Sequence, residues 1–271
     1  MNNPQSSPNV SAHSPLSILR TGDARSRFNF QTPTEILEAL GRPSQLLSSS
    51  AKAEKSAKVG VLNRVLFLTS GVYCSHATPG CLKACLGHTS GRMGQQKATD
   101  SRDRRSALYW CDIDEFMTTL RRDLKRLVGQ AEKRDMVPAV RLNGTSDLAW
   151  EKTHREMFDE FPEVNFFDYT KIGKRMHEFL DGQTSTGPWP SNYHLTLSVS
   201  ERNEQDARQV LHAGGGVAVV FWPKLPATWR GVDVINGEEH DARFRDPTPC
   251  VVGLSARGLA KKDLSGFVVK L

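Results

Sequence analysis

Short apolar runs alternate with amphipathic stretches over most of the chain. The first run, residues 61–69, is mostly apolar, which predicts a buried strand, and it ends at Ser70-Gly71. Further strands are predicted at 137–142, 164–169, 193–198, 217–222 and 250–254. Apolar residues at helical spacing predict one long helix or two within 103–133 and shorter helices near 150–161, 171–180 and 204–212. This alternation is typical of crossover units, so the predicted fold class is α/β, either a partial (β/α) barrel or a parallel sheet with crossover helices.

The first 57 residues lack this pattern. They are rich in Ser, Pro, Asn and Gln, and their single apolar pattern is a short helix at 35–40, with capping residues at 32–35 and a stop at Gly41. That helix is expected to dock on the body of the protein. We therefore predict a flexible N-terminal arm over residues 1–57 and a single α/β domain over residues 58–271.

Turn-forming residues punctuate the last third of the chain. The triple glycine 214–216 lies between a predicted helix and a predicted strand, where it would stop the helix. Residues 232–235, followed by Asn236-Gly237, predict one arm of a hairpin. The acidic stretch 238–241 is interpreted as a hairpin tip rather than as ligands for a hard metal ion.

Three of the five cysteines fall within residues 74–85, and this density predicts a metal site. Cys81 and Cys85 are four residues apart, so on a helix they would share one face, and the turn at Pro79-Gly80 would fold Cys74 back toward them. Three thiolates fill three corners of a tetrahedral site. The fourth corner is left for a histidine in a closed zinc site, or for an exogenous ligand on an open iron–sulfur cluster.

Other interpretations of the cysteines stay open at this point. The three thiols are small enough to be buried as hydrophobic side chains, and two of them could form a disulfide. For the zinc alternative, the candidate fourth ligands are His76 and His88. The remaining two cysteines, Cys111 and Cys250, lie inside apolar periodic segments and are predicted to belong to the core.

Composition narrows the class of protein. Hydrophobic residues make up 38% of the 271 residues and no apolar run is long enough to span a bilayer, so we expect a soluble protein with no membrane contact. The start of the sequence lacks the features of a secretion signal and the number of cysteines is odd, so a reducing cytoplasm is expected. A net charge of +6 favours contact with nucleic acid or another polyanion. The basic residues at 121–126 are predicted to be the solvated face of a helix.

Polar residues follow the predicted strands at their carboxyl ends. In parallel α/β folds these ends meet at one face, where ligands bind. The cysteine segment follows the first strand. The polar side chains after the next three strands are Asn143, Ser146, Asp147, Asp168, Lys171, Ser198 and Glu201. Helix capping is the simpler explanation for any one of them, but capping alone does not explain four polar strand ends beside three cysteines.

The chemistry of these side chains suggests roles for them. Lys171 is predicted to hold an anionic group, and Asp147 and Glu201 to hold amines or ribose hydroxyls or to exchange protons, which makes these three the candidate catalytic residues. The residues predicted to bind a cofactor are Asn143, Ser146, Asp168 and Ser198.

The order of several motifs resembles a family of uncharacterised bacteriophage proteins, over residues 60–270. These motifs are C-x6-C-x3-C at 74–85, RLNGTSD at 141–147, DYTK at 168–171, YHL at 193–195 and GGGVAVV at 214–220. A more distant likeness is to radical S-adenosylmethionine enzymes, in which a strand is followed directly by three cysteines at the mouth of a partial α/β barrel. This likeness implies a 4Fe-4S cluster whose fourth iron binds S-adenosylmethionine. The usual spacing in those enzymes is C-x3-C-x2-C.

Two functions follow as hypotheses. The first is a phage-type iron–sulfur enzyme in the cytoplasm of an infected bacterial host, with Cys74, Cys81 and Cys85 as cluster ligands and a nucleotide or nucleic acid component as substrate. The alternative is a protein without catalytic activity that binds nucleic acid or another protein, and in which zinc on the same cysteines staples a loop.

Overall fold

The computed structural model describes residues 32–89 and 91–271. The α-helices of the described chain are α1 Pro33–Leu40, α2 Ala51–Glu54, α3 Pro79–Ala84, α4 Leu86–Thr89, α5 Gln96–Cys111, α6 Ile113–Glu132, α7 Trp150–Thr153, α8 Glu156–Glu160, α9 Gly173–Leu180 and α10 Glu204–His212. Its strands are β1 Leu47–Ser48, β2 Val61–Leu66, β3 Val137–Arg141, β4 Asn165–Thr170, β5 Gln183–Thr184, β6 Gly187–Pro188, β7 Tyr193–Ser198, β8 Gly216–Trp222, β9 Thr228–Trp229, β10 Val232–Asn236, β11 Cys250–Ser255 and β12 Val268–Lys270.

Ten of these strands form one sheet within the described residues, in the order β1-β2-β3-β4-β7-β8-β11-β10-β9, with β12 pairing with β8. The central strands from β2 to β11 follow one another in chain order and are all parallel. The antiparallel pairs of this sheet are at its two edges, where β1 joins β2 and β9 joins β10. Right-handed crossovers between parallel strands in chain order place their helices on one side of the sheet. The predicted α/β class with crossover helices is confirmed.

The two faces of the sheet differ in what covers them. On the face that the helices cover, here called the outer face, Val140, Phe166 and Leu195 pack in the main core with Leu120 and Leu124 of α6. Residues of the opposite parity point to the other face, here called the inner face. A smaller apolar cluster there consists of Val61, Ala139, Phe167 and Ala242. The sheet therefore separates a helix-covered core from an inner face that is more polar.

The segment after Thr32 is part of the packed body. The short helix predicted at 35–40 forms α1; Thr32 and Glu35 complete a reciprocal capping box, and the helix ends at Gly41, which has a φ of +73°. Leu46 and Leu47 are buried, and their N–H groups donate to Oδ2 of Asp123 on α6 at 2.6 and 3.0 Å. The rest of the predicted flexible arm, residues 1–31, lies outside the described residues.

The structure decides one open detail of the predicted elements and corrects another. The apolar stretch within 103–133 forms two helices, because Asp112 ends α5 and its carboxylate caps α6 by accepting from the N–H of Glu115 at 3.0 Å. The hairpin arm at 232–235 is confirmed as β10, but the turn predicted at Asn236-Gly237 is wrong. Its partner β9 precedes it, and the turn is at Arg230-Gly231, where both residues have positive φ.

The arginines of α6 have partners within the protein. Arg121 donates to Glu160 at 2.5 Å, Arg122 donates to the carbonyl of Ser44 at 2.7 Å, and Arg126 lies 3.5 Å from Asp123. These contacts support the interpretation of this basic stretch as an ordinary helix surface. Across the described chain, none of the helices combines the length and hydrophobicity that crossing a bilayer requires.

Candidate functional site

Lys171 joins three loops at the carboxyl edge of the sheet. Its backbone N–H donates to Oδ2 of Asp147 at 2.9 Å, and its Nζ donates to Oγ of Ser198 at 2.8 Å. The same ammonium group is close enough to Cys81 to lower the pKa of its thiol, and it lies 5.6 Å from the ring centroid of Phe267. The structure therefore brings the loops after β3, β4 and β7 together with the cysteine segment.

Helix α3, which carries Cys81, is fixed by Glu201. Thr78 caps this helix by accepting from the N–H of Cys81 at 3.2 Å. The Glu201 carboxylate accepts from Oγ1 of Thr78 at 2.7 Å and from the N–H of Gly80 at 3.0 Å. A Cβ at Gly80 would overlap the Glu201 carboxylate and the Ser265 hydroxyl, so the helix start is tightly enclosed. Glu201 is therefore a residue that positions the cysteine helix.

Replacing this carboxylate tests that role. We expect Glu201→Gln to lower the free energy of unfolding by about 1 to 2 kcal/mol, since one amide group cannot accept both charge-assisted hydrogen bonds. Amide hydrogen exchange over residues 78–84 should become faster. The control is Glu204→Gln, which removes an exposed ion pair with Arg208 and should change stability by less than about 0.5 kcal/mol. Unchanged exchange in Glu201→Gln would contradict the positioning role.

The three clustered cysteines form no disulfide and lie within electrostatic reach of one another. Burial is the main cause that raises the pKa of Cys74 to about 12; Asp147, Cys85 and Cys81 also raise it, and a backbone hydrogen bond at Gly71 lowers it. The Cys74 thiol donates to the carbonyl of Thr145 at 3.5 Å. Burial also raises the pKa of Cys81, against the nearby Lys171 ammonium, which lowers it. At neutral pH Cys74 is therefore a protonated thiol in this structure.

Coordination by these thiols is not preformed. Across residues 32–89 and 91–271, no group of three or more His, Cys, Asp or Glu residues is arranged to hold one metal ion. His76, a candidate fourth ligand, has its Nδ1 3.0 Å from the hydroxyl of Ser75. The side chain of His88, the other candidate, lies outside the described residues. The metal site at Cys74, Cys81 and Cys85 stays a prediction.

None of the five cysteines forms a disulfide, so the alternative that two of them are paired is wrong. Cys250 is buried, as predicted, at 2% exposure. Cys111 is exposed, and its assignment to the core was wrong. It is the last residue of α5, whose buried positions are Arg102 and 105–108, so the buried stripe ends before it.

A buried ionic network lies beside the site, on the outer face, with Arg175 of α9 at its centre. Its guanidinium donates to both oxygens of Glu151, at 2.9 and 2.8 Å, and to Oδ1 of Asp147 at 3.1 Å. It also donates to the hydroxyl of Tyr193 at 2.6 Å, and this hydroxyl donates to Oδ2 of Asp168 at 2.7 Å. The network therefore fixes Asp147, the same carboxylate that holds the backbone of Lys171.

The residues predicted to bind a cofactor have mostly internal partners. Asp168 is fully buried and accepts from the N–H and the Nδ2 of Asn143, at 2.6 and 3.1 Å. Burial raises the pKa of Asp168 to about 7, although the Tyr193 hydroxyl, Arg175 and Asn143 lower it. Oδ1 of Asn143 accepts from the Ser146 hydroxyl at 2.8 Å. Cofactor binding by these residues stays a prediction, since the contacts shown are all within the protein.

Ser198 differs from the other three because it contacts the ammonium group of Lys171 on the inner face. The carbonyl of Ser198 accepts from Nδ2 of Asn203 at 3.0 Å, and Oδ1 of Asn203 accepts from the N–H of Ser200 at 2.7 Å. Asn203 also donates to the carbonyl of Lys171 at 3.3 Å. Asn203, like Arg175, was not predicted. Its only sequence signal is its place just before α10, where a helix cap is expected.

Comparison with known proteins places the chain in one family. No curated protein and no solved structure matches it. The family model described as gene product 88 matches residues 44–271, which includes the cysteine segment and every loop that meets at Lys171. The similarity predicted for residues 60–270 is thereby confirmed at the level of the family. The chain belongs to the gene product 88 family, a phage-type family.

Proposed function

We propose that this protein is a phage-type iron–sulfur enzyme that acts on a nucleotide or nucleic acid component. The observation that supports this proposal is the meeting of a cysteine segment without disulfides and a lysine ammonium at the carboxyl edge of a parallel sheet. This edge is where α/β enzymes bind their ligands. The proposed cluster ligands are Cys74, Cys81 and Cys85.

The number and type of the proposed ligands fit a cluster, but their positions in the structure do not surround one. Three thiolates and no fourth cysteine in the segment match a 4Fe-4S cluster with one iron left for an exogenous ligand, where the cluster supplies one-electron chemistry. The thiols are not arranged around one ion in the described residues. The proposal therefore requires that residues 71–85 close around the cluster and that the thiols lose their protons as it binds.

Lys171 is the candidate catalytic residue that brings a positive charge to the thiols. An ammonium group beside Cys81 and Ser198 would attract a phosphate or carboxylate group of the ligand. S-adenosylmethionine, which carries a carboxylate, is the candidate ligand for the open iron. Asp147 and Glu201 act indirectly in this proposal, because one fixes the backbone of Lys171 and the other fixes α3.

The zinc-stapled binding protein is the alternative. The observation that favours it is that Asp147 and Glu201, both predicted to be catalytic, use their carboxylates to hold backbone N–H groups. These hydrogen bonds to the backbone account for both carboxylates without a catalytic role. Zinc on the three cysteines and either His76 or His88 would then stabilise the segment without taking part in a reaction.

Metal uptake separates the two functions. Anaerobic reconstitution of the purified protein with iron and sulfide is expected to give about four irons and four sulfides per chain, with a broad visible absorption that bleaches on reduction. Parallel incubation with zinc provides the comparison. Stoichiometric zinc with no uptake of iron would support the zinc-stapled binding protein and contradict the enzyme.

Two binding measurements then address the ligand. Calorimetry with S-adenosylmethionine on the reconstituted protein should show saturable binding that the protein without iron lacks. Retention on duplex and single-stranded DNA should be compared at low and moderate salt, because each phosphate neutralised by the protein releases counterions and makes binding salt dependent. DNA retention without S-adenosylmethionine binding would favour the alternative.

A further inference from the structure

The positive charge of the chain is concentrated in two segments. Residues 74–99, which include the clustered cysteines, hold three lysine or arginine residues and no aspartate or glutamate. Residues 255–271 hold four lysine or arginine residues and one aspartate. Together they account for the whole net charge of +6, so the rest of the chain is neutral as a whole. Such a distribution favours contact with a polyanion at these two segments.

The two segments pack against each other in the structure. A Cβ at Gly80 would overlap the Ser265 hydroxyl and would lie 2.8 Å from the Cβ of Phe267. Ala84 packs in one apolar cluster with Ala260. Residues 79–84 and 256–270 therefore form one surface, here called the basic surface. Its exposed lysines are Lys83 on α3, Lys261, Lys262 and Lys270.

The basic surface borders the candidate functional site. The ring centroid of Phe267 lies 5.6 Å from Nζ of Lys171. Strand β12 runs parallel to β8, and Lys270 pairs with Trp222, the last residue of β8. Both strands therefore end at the carboxyl edge of the sheet, beside the loops that meet at Lys171. A ligand held on the basic surface would lie next to this ammonium group.

The four exposed lysines of this surface form no ion pair within the part of the chain that the structure describes. Nζ of Lys261 lies 4.8 Å from the centroid of the Trp222 ring. Arg257, in contrast, pairs with Glu238 at 2.7 Å. The lysine charges are therefore available to a partner, whereas the arginines of α6 already have partners within the protein.

Two carboxylates of this region are used inside the protein. Asp263, the aspartate of the second segment, is 5% exposed and accepts from the N–H groups of Gly266 and Val268, at 3.2 and 3.1 Å. Glu201 accepts from the N–H of Gly80 at 3.0 Å. Backbone N–H groups thus take up the lone pairs that would otherwise bind the lysines. The surface is left with an excess of positive charge toward solvent.

We propose that the basic surface binds the phosphate backbone of a nucleic acid, which then lies beside Lys171. Lysine ammonium groups bind phosphates as point charges, without reading the bases. A single chain of phosphates, unlike the plane of a membrane, can reach an ammonium group that is half-buried in the edge of the sheet. The inference rests on the proposed function for the class of substrate and deepens it, because it makes that substrate a polymer rather than a free nucleotide.

The experiment is fluorescence anisotropy of the metal-free full-length protein with a short labelled DNA strand and with its duplex, over a series of salt concentrations. The double variant Lys261→Gln with Lys262→Gln should weaken binding at low salt by about tenfold or more. It should also reduce the slope of log Kd against log salt by about two, since each phosphate contact contributes about one. The matched control is Lys125→Gln with Lys133→Gln, which removes the same charge from exposed lysines on and just after α6 and should leave the slope unchanged.

The outcomes separate the basic surface from the cluster. Equal weakening by the two double variants would show that binding follows total charge, and would overturn the basic surface. Failure to bind either form of DNA, or equally tight binding to vesicles of anionic phospholipid, would overturn it as well. Iron uptake by Lys261→Gln with Lys262→Gln should equal that of the unchanged protein, because neither lysine is a proposed ligand. DNA binding that depends on these lysines, in a protein that takes up no iron, would support the basic surface and remove the proposed enzyme.

Discussion

Replacing any one of Cys74, Cys81 and Cys85 by serine should abolish stoichiometric iron uptake after anaerobic reconstitution. A serine hydroxyl stays protonated at neutral pH and does not replace a thiolate as a ligand of iron or zinc. The three variants should therefore lose the visible absorption together with the bound iron and sulfide. The measurement is iron and sulfide content per chain, beside the visible spectrum of each variant.

Cys111→Ser is the control, because Cys111 is exposed at the end of α5, outside the cysteine segment. It should take up iron as the unchanged protein does. The fold of each variant is checked by circular dichroism, since Cys74 is largely buried and its loss has a packing cost of its own. Full iron content in any of the three segment variants would remove that cysteine from the set of ligands.

Most of the fold was predictable from local pattern. The strand at 193–198 and the helix at 204–212 have the predicted bounds, and β8 differs from its prediction only by adding Gly216. These segments combine a clear apolar period with a glycine or polar stop at each end, so local and tertiary preferences agree. The parallel order of the sheet followed from the alternation of strands and helices.

The polar contacts were less predictable, since they depend on residues far apart in sequence. Arg175 lies in an ordinary amphipathic helix, and its partners Glu151 and Tyr193 are 24 and 18 residues away. Asp241 was interpreted as part of an acidic hairpin tip, although it is a buried partner of Lys52 and Arg141. The buried position of Asn63 does have a signal in the sequence. It is a polar residue between Val61 and Val65, on a strand whose other inward positions are apolar.

The carboxyl edge of the sheet also shows why residue type alone did not settle the roles of the candidate catalytic residues. Asp147, Lys171 and Glu201 do meet there through side-chain contacts to neighbouring loops. The carboxylates of Asp147 and Glu201 accept from backbone N–H groups, and Lys171 brings a positive charge to the thiol of Cys81. An acidic residue after a strand can cap, position or react, and only its partners in the folded chain distinguish these roles.

Arg175→Met should lower the free energy of unfolding by about 3 to 5 kcal/mol, because it leaves two buried carboxylates without their cation. The Arg175 side chain is 2% exposed, and the side chains of Glu151 and Asp147 are 0% and 10% exposed. Methionine has a similar length, so the cavity contribution is small and the loss is electrostatic. Urea unfolding of the variant and of the unchanged protein measures the difference.

Two further variants show whether this loss comes from the buried charge. The double variant Arg175→Met with Glu151→Gln should recover part of the lost stability, since it removes the carboxylate that accepted two hydrogen bonds from the arginine. Arg208→Met breaks the exposed pair with Glu204 and should cost less than about 0.5 kcal/mol. Because Asp147 holds the backbone of Lys171, Arg175→Met should also speed amide exchange at residue 171. Equal losses in Arg175→Met and Arg208→Met would show that the buried network does not stabilise the fold.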